Sequence, residues 1–250
     1  PGREVLAFVE RWGLSAGGLQ LDPEHPTGMV RVSLDEAAVP TFDILPDMAY
    51  DHIEINDTLQ NLLATPPRLI YFGTLAQRTP QGFRTLQNLL SRRQPETRAF
   101  CDINLRPESY NDQVIRASLR QADVLKLSSE ELQVLRGIVG GPADDRVLID
   151  RLRREFDIAV LVLTHGAAGS AWHSRDGSFH LAPPPLADVV DTVGAGDAHA
   201  AMTALGYLRQ WPPTKTLAAA NRLAAAVCTI QGALPESEAF YAEMAPTAGG

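Results

Sequence analysis

The sequence predicts an α/β fold with three layers, in which helices cover both sides of a mainly parallel central sheet, together with a small β lid. Four short and nearly continuous apolar runs carry this prediction, at residues 67–75, 97–105, 122–129 and 158–166. Runs without polar alternation are typical of parallel strands that are buried on both faces. Helical patterns separate the four runs, and this alternation indicates crossover helices between parallel strands.

The helices are predicted from apolar residues that recur at helical spacing. They cover residues 80–94, 111–120, 129–136, 143–156, a segment that starts near 194, and the alanine-rich stretch 214–230. The chain also opens with an amphipathic helix, whose apolar face is formed by Val5, Leu6, Val9 and Trp12.

Two antiparallel hairpins are predicted beside the parallel strands. Residues 28–36 and 40–45 alternate polar and apolar residues around a short turn, and they form part of the predicted lid. A second hairpin turns at Arg175, Asp176 and Gly177. It adds antiparallel strands to a sheet that is otherwise parallel.

Length and charge limit the classes of function. At 250 residues the chain fits a single large α/β domain, and no repeat or linker divides it. The formal net charge of −8 argues against a nucleic-acid or anionic-membrane binder, because both partners need clustered Lys and Arg.

No apolar run reaches the roughly 18 residues of a membrane span, and no signal-peptide pattern opens the chain, so we expect a cytoplasmic protein. The spacing of Cys101 and Cys228 predicts two buried thiols in a reducing compartment.

Polar and glycine residues follow the predicted parallel strands at their carboxyl ends. Loops at this edge of an open parallel sheet hold ligands, so we expect one face of the molecule to carry the chemistry. The residues concerned are Gly73, Thr74, Asp102, Asn104, Arg106, Lys126, Ser128, Thr164, Gly166 and the segment 191–197.

The stretch DVVDTVGAGD, residues 188–197, predicts a strand at 188–193 that gives way at once to a helix. The first N–H groups of a helix have no intrahelical partner and attract anions. Gly194 and Gly196 leave these amides open to a phosphate, and Asp197 lies in the first helical turn. A helix cap alone explains Asp197, but it does not explain the two glycines or the second acid, Asp191, that precedes them.

Two familiar phosphate-binding motifs are excluded. The chain has no GxxxxGK[ST] motif, which excludes a P-loop enzyme, and His199 occupies the third glycine position of the dinucleotide fingerprint. The stretch DTVGAGDAHA instead resembles the signature of the ribokinase-like (PfkB-type) carbohydrate kinases. The resemblance continues, in family order, through YFGTLAQR, CDINLRP, LKLSSEEL, VLTHGAAGS and AANRLAAAVCTIQGALP.

The resemblance implies the roles of the residues around the glycine turn. Asp197 matches the catalytic base that removes the proton of the sugar hydroxyl. Gly194, Ala195 and Gly196 match the anion hole for the transferred phosphoryl group. Asp191 and the backbone of Val193 match a site for a monovalent cation such as K⁺.

The resemblance also implies a nucleotide site for ATP and Mg²⁺. Thr164, Gly166 and Gly169 match the nucleotide-binding T-x-G-x-x-G segment, and Asn221 matches an asparagine near the adenine. Ser128 and Glu131 match the Asn-x-x-Glu pair, in which the Glu acts on Mg²⁺ through water; Ser replaces Asn here, as in fructokinase-like members. His165 and His199 stand where apolar residues are usual, and no chemistry is assigned to them.

The implied acceptor is a small sugar, with Gly73, Asn104 and Arg106 as candidate contacts to its oxygens. Fructose is favoured, while ribose, nucleoside and keto-deoxygluconate kinases, and hydroxymethylpyrimidine or pyridoxal kinases, remain alternatives. A non-catalytic sugar or nucleotide sensor is the rival from another class, and the retained Asp197 argues against it.

One part of the family pattern does not occur in the 250 residues: the first strand with its sugar-binding Asp and the Gly-Gly-x-x-x-N segment. We therefore expect a longer natural chain. In many members the β lid, here residues 28–45, also forms a dimer contact, so the resemblance implies a homodimer.

Overall fold

A computed structural model describes residues 1–34, 40–186 and 188–244 of the chain. The described residues divide into two compact units. The first unit comprises Pro1–Pro67, Gly73–Thr97 and Leu105–Ala117. The second comprises Arg68–Phe72, Arg98–Asn104 and the residues from Ser118 onward. A single kinase domain over residues 1–250 stays a prediction.

A six-stranded sheet forms the centre of the second unit. Its strands, in spatial order, are β3 (Leu69–Phe72), β4 (Arg98–Asp102), β5 (Val124–Ser128), β6 (Val160–Thr164), β7 (Ser170–Ser174) and β8 (Gly177–Leu181). Strands β3 to β6 run parallel, and β7 and β8 add an antiparallel hairpin. The four apolar runs and the second hairpin are thus confirmed as predicted.

Helices begin and end close to the predicted bounds. They are α1 (Gly2–Arg11), α2 (Asp57–Ala64), α3 (Pro80–Ser91), α4 (Asp112–Gln121), α5 (Ser129–Val139), α6 (Asp145–Glu155), α7 (Ala195–Leu208), α8 (Pro213–Val227) and α9 (Glu238–Met244). Helices α2 and α9 were not predicted from the sequence. The start of α2 carries a local signal, because the Asn56 side chain accepts the N–H of Leu59 (2.9 Å) and caps the helix.

Both faces of the sheet are buried at the central strands β5 and β6, which explains why these parallel strands lack polar alternation. On one face, Val124, Val160 and Val162 pack with Ala200 of α7 and Leu217 of α8. Successive side chains of a strand point to opposite faces. The intervening residues, Leu125, Leu127, Leu161 and Leu163, are buried too, and helices α5 and α6 contact β5 and β6.

A two-stranded antiparallel sheet in the first unit matches the predicted lid hairpin. Strand β1 (Val30–Leu34) pairs with β2 (Pro40–Ile44), from Val30 opposite Ile44 to Leu34 opposite Pro40. Residues 35–39, which include the predicted turn, lie outside the described residues. A role as lid or dimer contact stays a prediction.

Arg78 ties the end of this hairpin to the rest of the first unit. Its guanidinium donates to both carboxylate oxygens of Asp51 (2.7 and 2.6 Å), to the carbonyl of Leu45 (2.6 Å) and to the hydroxyl of Tyr50 (2.9 Å). The side chains of Arg78 and Asp51 are 10% and 1% exposed. Burial acts to raise the pKa of Asp51, but the hydrogen bonds from Arg78 and the Met48 N–H outweigh it, and the pKa is lowered.

Two expectations from the sequence were wrong, the strand at 188–193 and the burial of Cys228. Residues 188–193 form no strand: the N–H groups of Val190 and Asp191 both donate to the carbonyl of Cys228 (2.8 and 3.3 Å), so a single acceptor replaces a strand ladder. Cys101 is buried as predicted, whereas Cys228, at the end of α8, is only half-buried. The amphipathic helix α1 forms as predicted, but none of its residues is buried.

Within the ranges that the structure describes, none of the helices is both long enough and apolar enough to cross a membrane.

Candidate active site

Helix α7 begins at the glycine turn, and the fold itself requires the first of the two glycines. Gly194 has a φ of 82°, a left-handed conformation that side chains disfavour. A Cβ atom at this position would also lie 2.7 Å from the Cα of Ala233. No side chain caps the helix at Gly194. Gly194 is thus needed both for the turn and for the close approach of the loop after α8.

The Asp191 carboxylate binds the glycine turn to the loop after α8. Its two carboxylate oxygens accept the N–H groups of Val193 (2.9 Å) and Gly232 (3.0 Å). These hydrogen bonds lower the pKa of Asp191, so the carboxylate stays ionised well below neutral pH. Asp191 thus stabilises the turn through its hydrogen bonds. The cation site at Asp191 and Val193 stays a prediction.

The second glycine has no packing reason of this kind. Among the described residues, a Cβ atom at Gly196 would approach only the Lys126 ammonium nitrogen, at 3.9 Å, which is an ordinary contact. The N–H of Ala195 donates to the carbonyl of Thr192 (3.3 Å). Within the same described residues, no hydrogen bond uses the N–H of Gly196 or Asp197. The helix start therefore presents open amides beside a glycine that the fold does not require.

Asp197 lies in the first turn of α7, as predicted, and is exposed. The residue at the N-cap position is Gly194, three residues earlier, so Asp197 is not the N-cap. The interpretation of Asp197 as a simple helix cap therefore loses its support. Its role as a base stays a prediction.

A buried ion pair lies next to the helix start, and sequence analysis assigned no role to it. The Lys126 ammonium group donates to both oxygens of Asp102 (3.0 and 2.9 Å), and the Tyr71 hydroxyl donates to the same carboxylate (2.9 Å). Asp102 ends β4 and stands opposite Lys126, the middle residue of β5. The polar positions at the strand ends were visible in the sequence, but the pairing depends on the strand register.

Ser128 and Glu131 form a capping box at the start of α5. The Ser128 hydroxyl accepts the N–H of Glu131 (3.2 Å), and the Glu131 carboxylate accepts the N–H of Ser128 (2.7 Å). The pattern S-x-x-E is a sequence signal for this arrangement, which sequence analysis overlooked. The capping box gives both residues a structural task, and their contacts to phosphate and Mg²⁺ stay predictions.

The predicted nucleotide segment forms a tight turn beside Ser128. Thr164 pairs with Ser128 in the sheet register, and a single 3-10 turn, Gly166–Ala168, follows it. Gly169 has a φ of 100°, and a Cβ atom there would lie 2.2 Å from the carbonyl oxygen of Leu181. The fold thus requires glycine at 169, while 164 and 166 lie at the carboxyl edge where ligands are expected.

Asn221 is buried between α8 and the hairpin of β7 and β8. The residue is 4% exposed, and its side chain accepts the Ser170 hydroxyl (2.7 Å) and donates to the Leu181 carbonyl (2.9 Å). Asn221 therefore links α8 to β7 and β8, and its contact with adenine stays a prediction. His199, close by on α7, is also buried, and burial together with the Lys126 charge lowers its pKa to about 3.

The three candidate sugar contacts are distributed over both units. Asn104 belongs to the second unit and has a φ of 41°. Gly73 and Arg106 belong to the first; the Gly73 carbonyl accepts the Gln77 side chain (2.9 Å). Arg106 is exposed and forms no ion pair with any residue in the described ranges. Their roles toward a sugar stay predictions.

The fold resembles solved kinase structures. A crystal structure of fructokinase with bound ATP from Xylella fastidiosa superposes with a TM-score of 0.83, at 21% identity, over 93% of this chain and 76% of that one. A double mutant of fructokinase from Vibrio cholerae, with fructose, ADP and potassium bound, gives a TM-score of 0.72 at 21% identity, over 98% and 81% of the two chains. These likenesses confirm the predicted three-layer, ribokinase-like fold.

Sequence relatives give the same class of protein. The chain is 26% identical to a fructokinase of Salmonella typhimurium over 93% of its own length and 78% of the relative's. It is 25% identical to a 5-dehydro-2-deoxygluconokinase of Geobacillus kaustophilus, over 86% and 66% of the two lengths. The chain thus spans about two thirds to four fifths of these curated relatives. Both relatives are sugar kinases, which is the predicted enzyme class.

The sequence also matches the family described as pfkB family carbohydrate kinase, over residues 1–239. This match covers almost the whole chain, and it includes the glycine turn, the strand-end residues and the loop after α8. The chain belongs to the pfkB family of carbohydrate kinases.

Proposed function

We propose that the protein transfers the γ-phosphoryl group of ATP to a hydroxyl group of a small sugar. One observation carries this proposal: the open start of α7, where Gly196 leaves space beside Lys126 and the exposed Asp197 carboxylate stands in the first turn. Exposed amides at a helix N-terminus bind phosphate. A carboxylate next to them can take a proton from an attacking alcohol.

Asp197 acts as the general base. It accepts the proton of the sugar hydroxyl while that oxygen forms a bond to the γ-phosphorus. The bond between the γ-phosphorus and the bridging oxygen of ATP breaks, and ADP leaves. General base catalysis of this kind contributes about 10²–10⁴-fold to a rate.

The amides of 194–197 stabilise the charge on the transferred phosphoryl group. In phosphoryl transfer the protein contributes mainly by positioning the groups and by electrostatic stabilisation. Gly194 and Asp191 support this site through the loop that contains Gly232 and Ala233, because they fix where the helix starts. The second glycine, Gly196, leaves the approach to the amides open.

The nucleotide binds along the carboxyl ends of β5 and β6, near Ser128, Thr164, Gly166 and Gly169, with Asn221 supporting the neighbouring strands. Glu131 would hold Mg²⁺ through water, and the ion would neutralise phosphate charge when bound. A monovalent cation is held by the Asp191 carboxylate and the Val193 backbone; the ionised state of Asp191 fits this role.

The sugar contacts Gly73, Asn104 and Arg106, and fructose is the preferred acceptor. The relatives include both fructokinases and 5-dehydro-2-deoxygluconokinases. A keto-deoxygluconate is therefore the second candidate acceptor, and ribose and nucleosides follow.

The test is an ADP-release assay with ATP, Mg²⁺ and a panel of fructose, 5-dehydro-2-deoxygluconate, ribose and inosine. We expect turnover with one keto-sugar or keto-sugar acid, and we expect Asp197→Asn to lower kcat about 10²–10⁴-fold. Binding of ADP, measured by calorimetry, should remain within about threefold of the parent protein, because the carboxylate is not required for nucleotide binding. A KCl titration checks the cation.

Asp112→Asn is the matched control, because it removes an exposed acid from the first turn of another helix, α4. It should leave kcat unchanged. Sugar binding without turnover in the parent protein would favour the sensor. Equal turnover in the parent protein and in Asp197→Asn would refute the role of Asp197 as the general base.

A further inference from the structure

A cluster of two histidines and one aspartate lies in the first unit, at residues that the proposed kinase chemistry does not use. The side chains of His25, Asp47 and His52 place one potential ligand atom each within 4.8 Å of the others. The His25 and His52 rings stack with their centroids 3.5 Å apart. Both rings approach the same oxygen of Asp47: Nε2 of His52 at 2.8 Å and Nε2 of His25 at 3.8 Å.

These separations are close to those of a metal site. Zn²⁺ binds imidazole nitrogen and carboxylate oxygen at about 2.0–2.1 Å, so two ligand atoms in a tetrahedron lie roughly 3.3 Å apart. The two nitrogen–oxygen distances in the cluster lie on either side of that value. Small side-chain rotations therefore bring the three atoms onto one ion.

A fourth residue orients His25 as a ligand. The Asp22 carboxylate contacts Nδ1 of the His25 ring with one oxygen (2.8 Å), and with the other it accepts the N–H groups of Glu24 (2.8 Å) and His25 (3.0 Å). Metal-binding histidines commonly bond a carboxylate through the nitrogen that does not bind the metal. Asp22 thus leaves Nε2 of His25 as the nitrogen that faces Asp47.

We propose that His25 Nε2, His52 Nε2 and the Asp47 carboxylate bind one Zn²⁺ ion, with Asp22 as the residue that positions His25. Two imidazoles and one carboxylate suit Zn²⁺ better than Mg²⁺, which prefers oxygen ligands in an octahedron. A fourth ligand, such as water, completes the tetrahedron.

The rings must open from their nearly parallel arrangement, because a metal lies in the plane of each imidazole that binds it and the stacked planes are only 11° apart. His25 is held by Asp22, so His52 and Asp47 make the adjustment. Their side chains are 28% and 74% exposed and have room to rotate. The ion links the loop around residue 25 to the segment that follows β2, and so it stabilises the first unit.

The experiment measures Zn²⁺ binding to the whole chain after treatment with a chelator and dialysis. Zn²⁺ is titrated against a chromogenic chelator, and bound metal is counted by mass spectrometry, with and without excess Mg²⁺. We expect one Zn²⁺ per chain in both conditions. His25→Ala and His52→Ala should each weaken binding at least 100-fold, and Asp22→Asn about 10–100-fold.

His180→Ala is the matched control, because His180 is an exposed histidine of β8 outside the cluster. It should bind Zn²⁺ as the parent protein does. The midpoint of thermal unfolding, measured with and without Zn²⁺, provides a second readout: Zn²⁺ should raise it in the parent protein and in His180→Ala, but not in His52→Ala. Circular dichroism verifies that each variant is folded, and His52→Gln replaces His52→Ala if the latter is not.

Three results would overturn the proposal: no tight Zn²⁺ binding by the parent chain, binding that Mg²⁺ displaces, or binding that is unchanged in folded His25 and His52 variants.

Discussion

The two glycines of the turn should respond in opposite ways to the same substitution. In Gly194→Ala, the left-handed conformation costs about 1–2 kcal/mol. The new Cβ atom also lies 2.7 Å from the Ala233 Cα, and relieving such an overlap by a backbone shift costs typically 1–3 kcal/mol. We therefore expect Gly194→Ala to lower the free energy of unfolding by roughly 2–5 kcal/mol.

In Gly196→Ala, the new Cβ atom meets only the Lys126 ammonium nitrogen at 3.9 Å within the described residues, so no overlap arises. Alanine favours a helix over glycine by about 0.5–1 kcal/mol. The variant should thus unfold at the same temperature as the parent protein or a higher one. Its methyl group occupies the approach to the amides, and a displacement of the phosphoryl group by 1 Å costs about 10²-fold.

The assay pairs thermal unfolding with kcat/KM for the best sugar. For a chain of this size, a loss of 1 kcal/mol lowers the unfolding midpoint by about 2–4 °C, so Gly194→Ala should lose roughly 4–20 °C. Gly196→Ala should keep its midpoint and lose about 10²-fold in kcat/KM. Nearly full activity in Gly196→Ala, or an unchanged midpoint in Gly194→Ala, would contradict the reasoning.

Three further predictions concern buried ionisable groups. Lys126→Met leaves the Asp102 side chain, which is 3% exposed, without its cation. Urea unfolding should therefore show a free energy of unfolding lowered by about 3–5 kcal/mol. A decrease under about 1 kcal/mol would contradict a dehydrated ion pair. Asp51→Asn removes the carboxylate partner of Arg78, and a similar loss of about 3–5 kcal/mol is expected; equal stability of this variant and the parent protein would contradict it. Burial lowers the pKa of His199 to about 3, below its ordinary 6.5, so the unfolded chain binds the extra proton between these values. The free energy of unfolding should fall by up to ~1.4 kcal/mol per unit as the pH drops below about 6.5, and His199→Phe should reduce this slope.

The sheet and its main helices could be predicted because their signals are local and repeated. Each parallel strand is an apolar run, and each helix repeats apolar residues at its own period. The segment 188–193 shows the limit of this reasoning. Its valines favour a strand, but a strand needs a partner with several free backbone groups, and here the N–H groups of Val190 and Asp191 share one backbone acceptor, the carbonyl of Cys228.

The candidate site also has features that could be predicted from the sequence and features that could not. The position of Asp197 in the first helical turn followed from the sequence, because the glycine turn marks the helix start. The Lys126–Asp102 pair could not be predicted, since it depends on the register between β4 and β5. Asn221 meets partners 51 and 40 residues away along the chain, so its burial is visible only in three dimensions. The cluster of His25, Asp47 and His52 was not predicted from the sequence for the same reason.

The contrast between Gly194 and Gly196 gives the strongest argument for a ligand at this edge of the sheet. In the sequence the two residues are equivalent members of one motif. In the structure, the turn and the approach of Ala233 fully account for Gly194, and nothing among the described residues accounts for Gly196. A glycine inside a helix costs about 0.5–1 kcal/mol relative to alanine. Such a cost without a packing reason supports the proposed phosphate site, because the open amides of the first turn favour an anion.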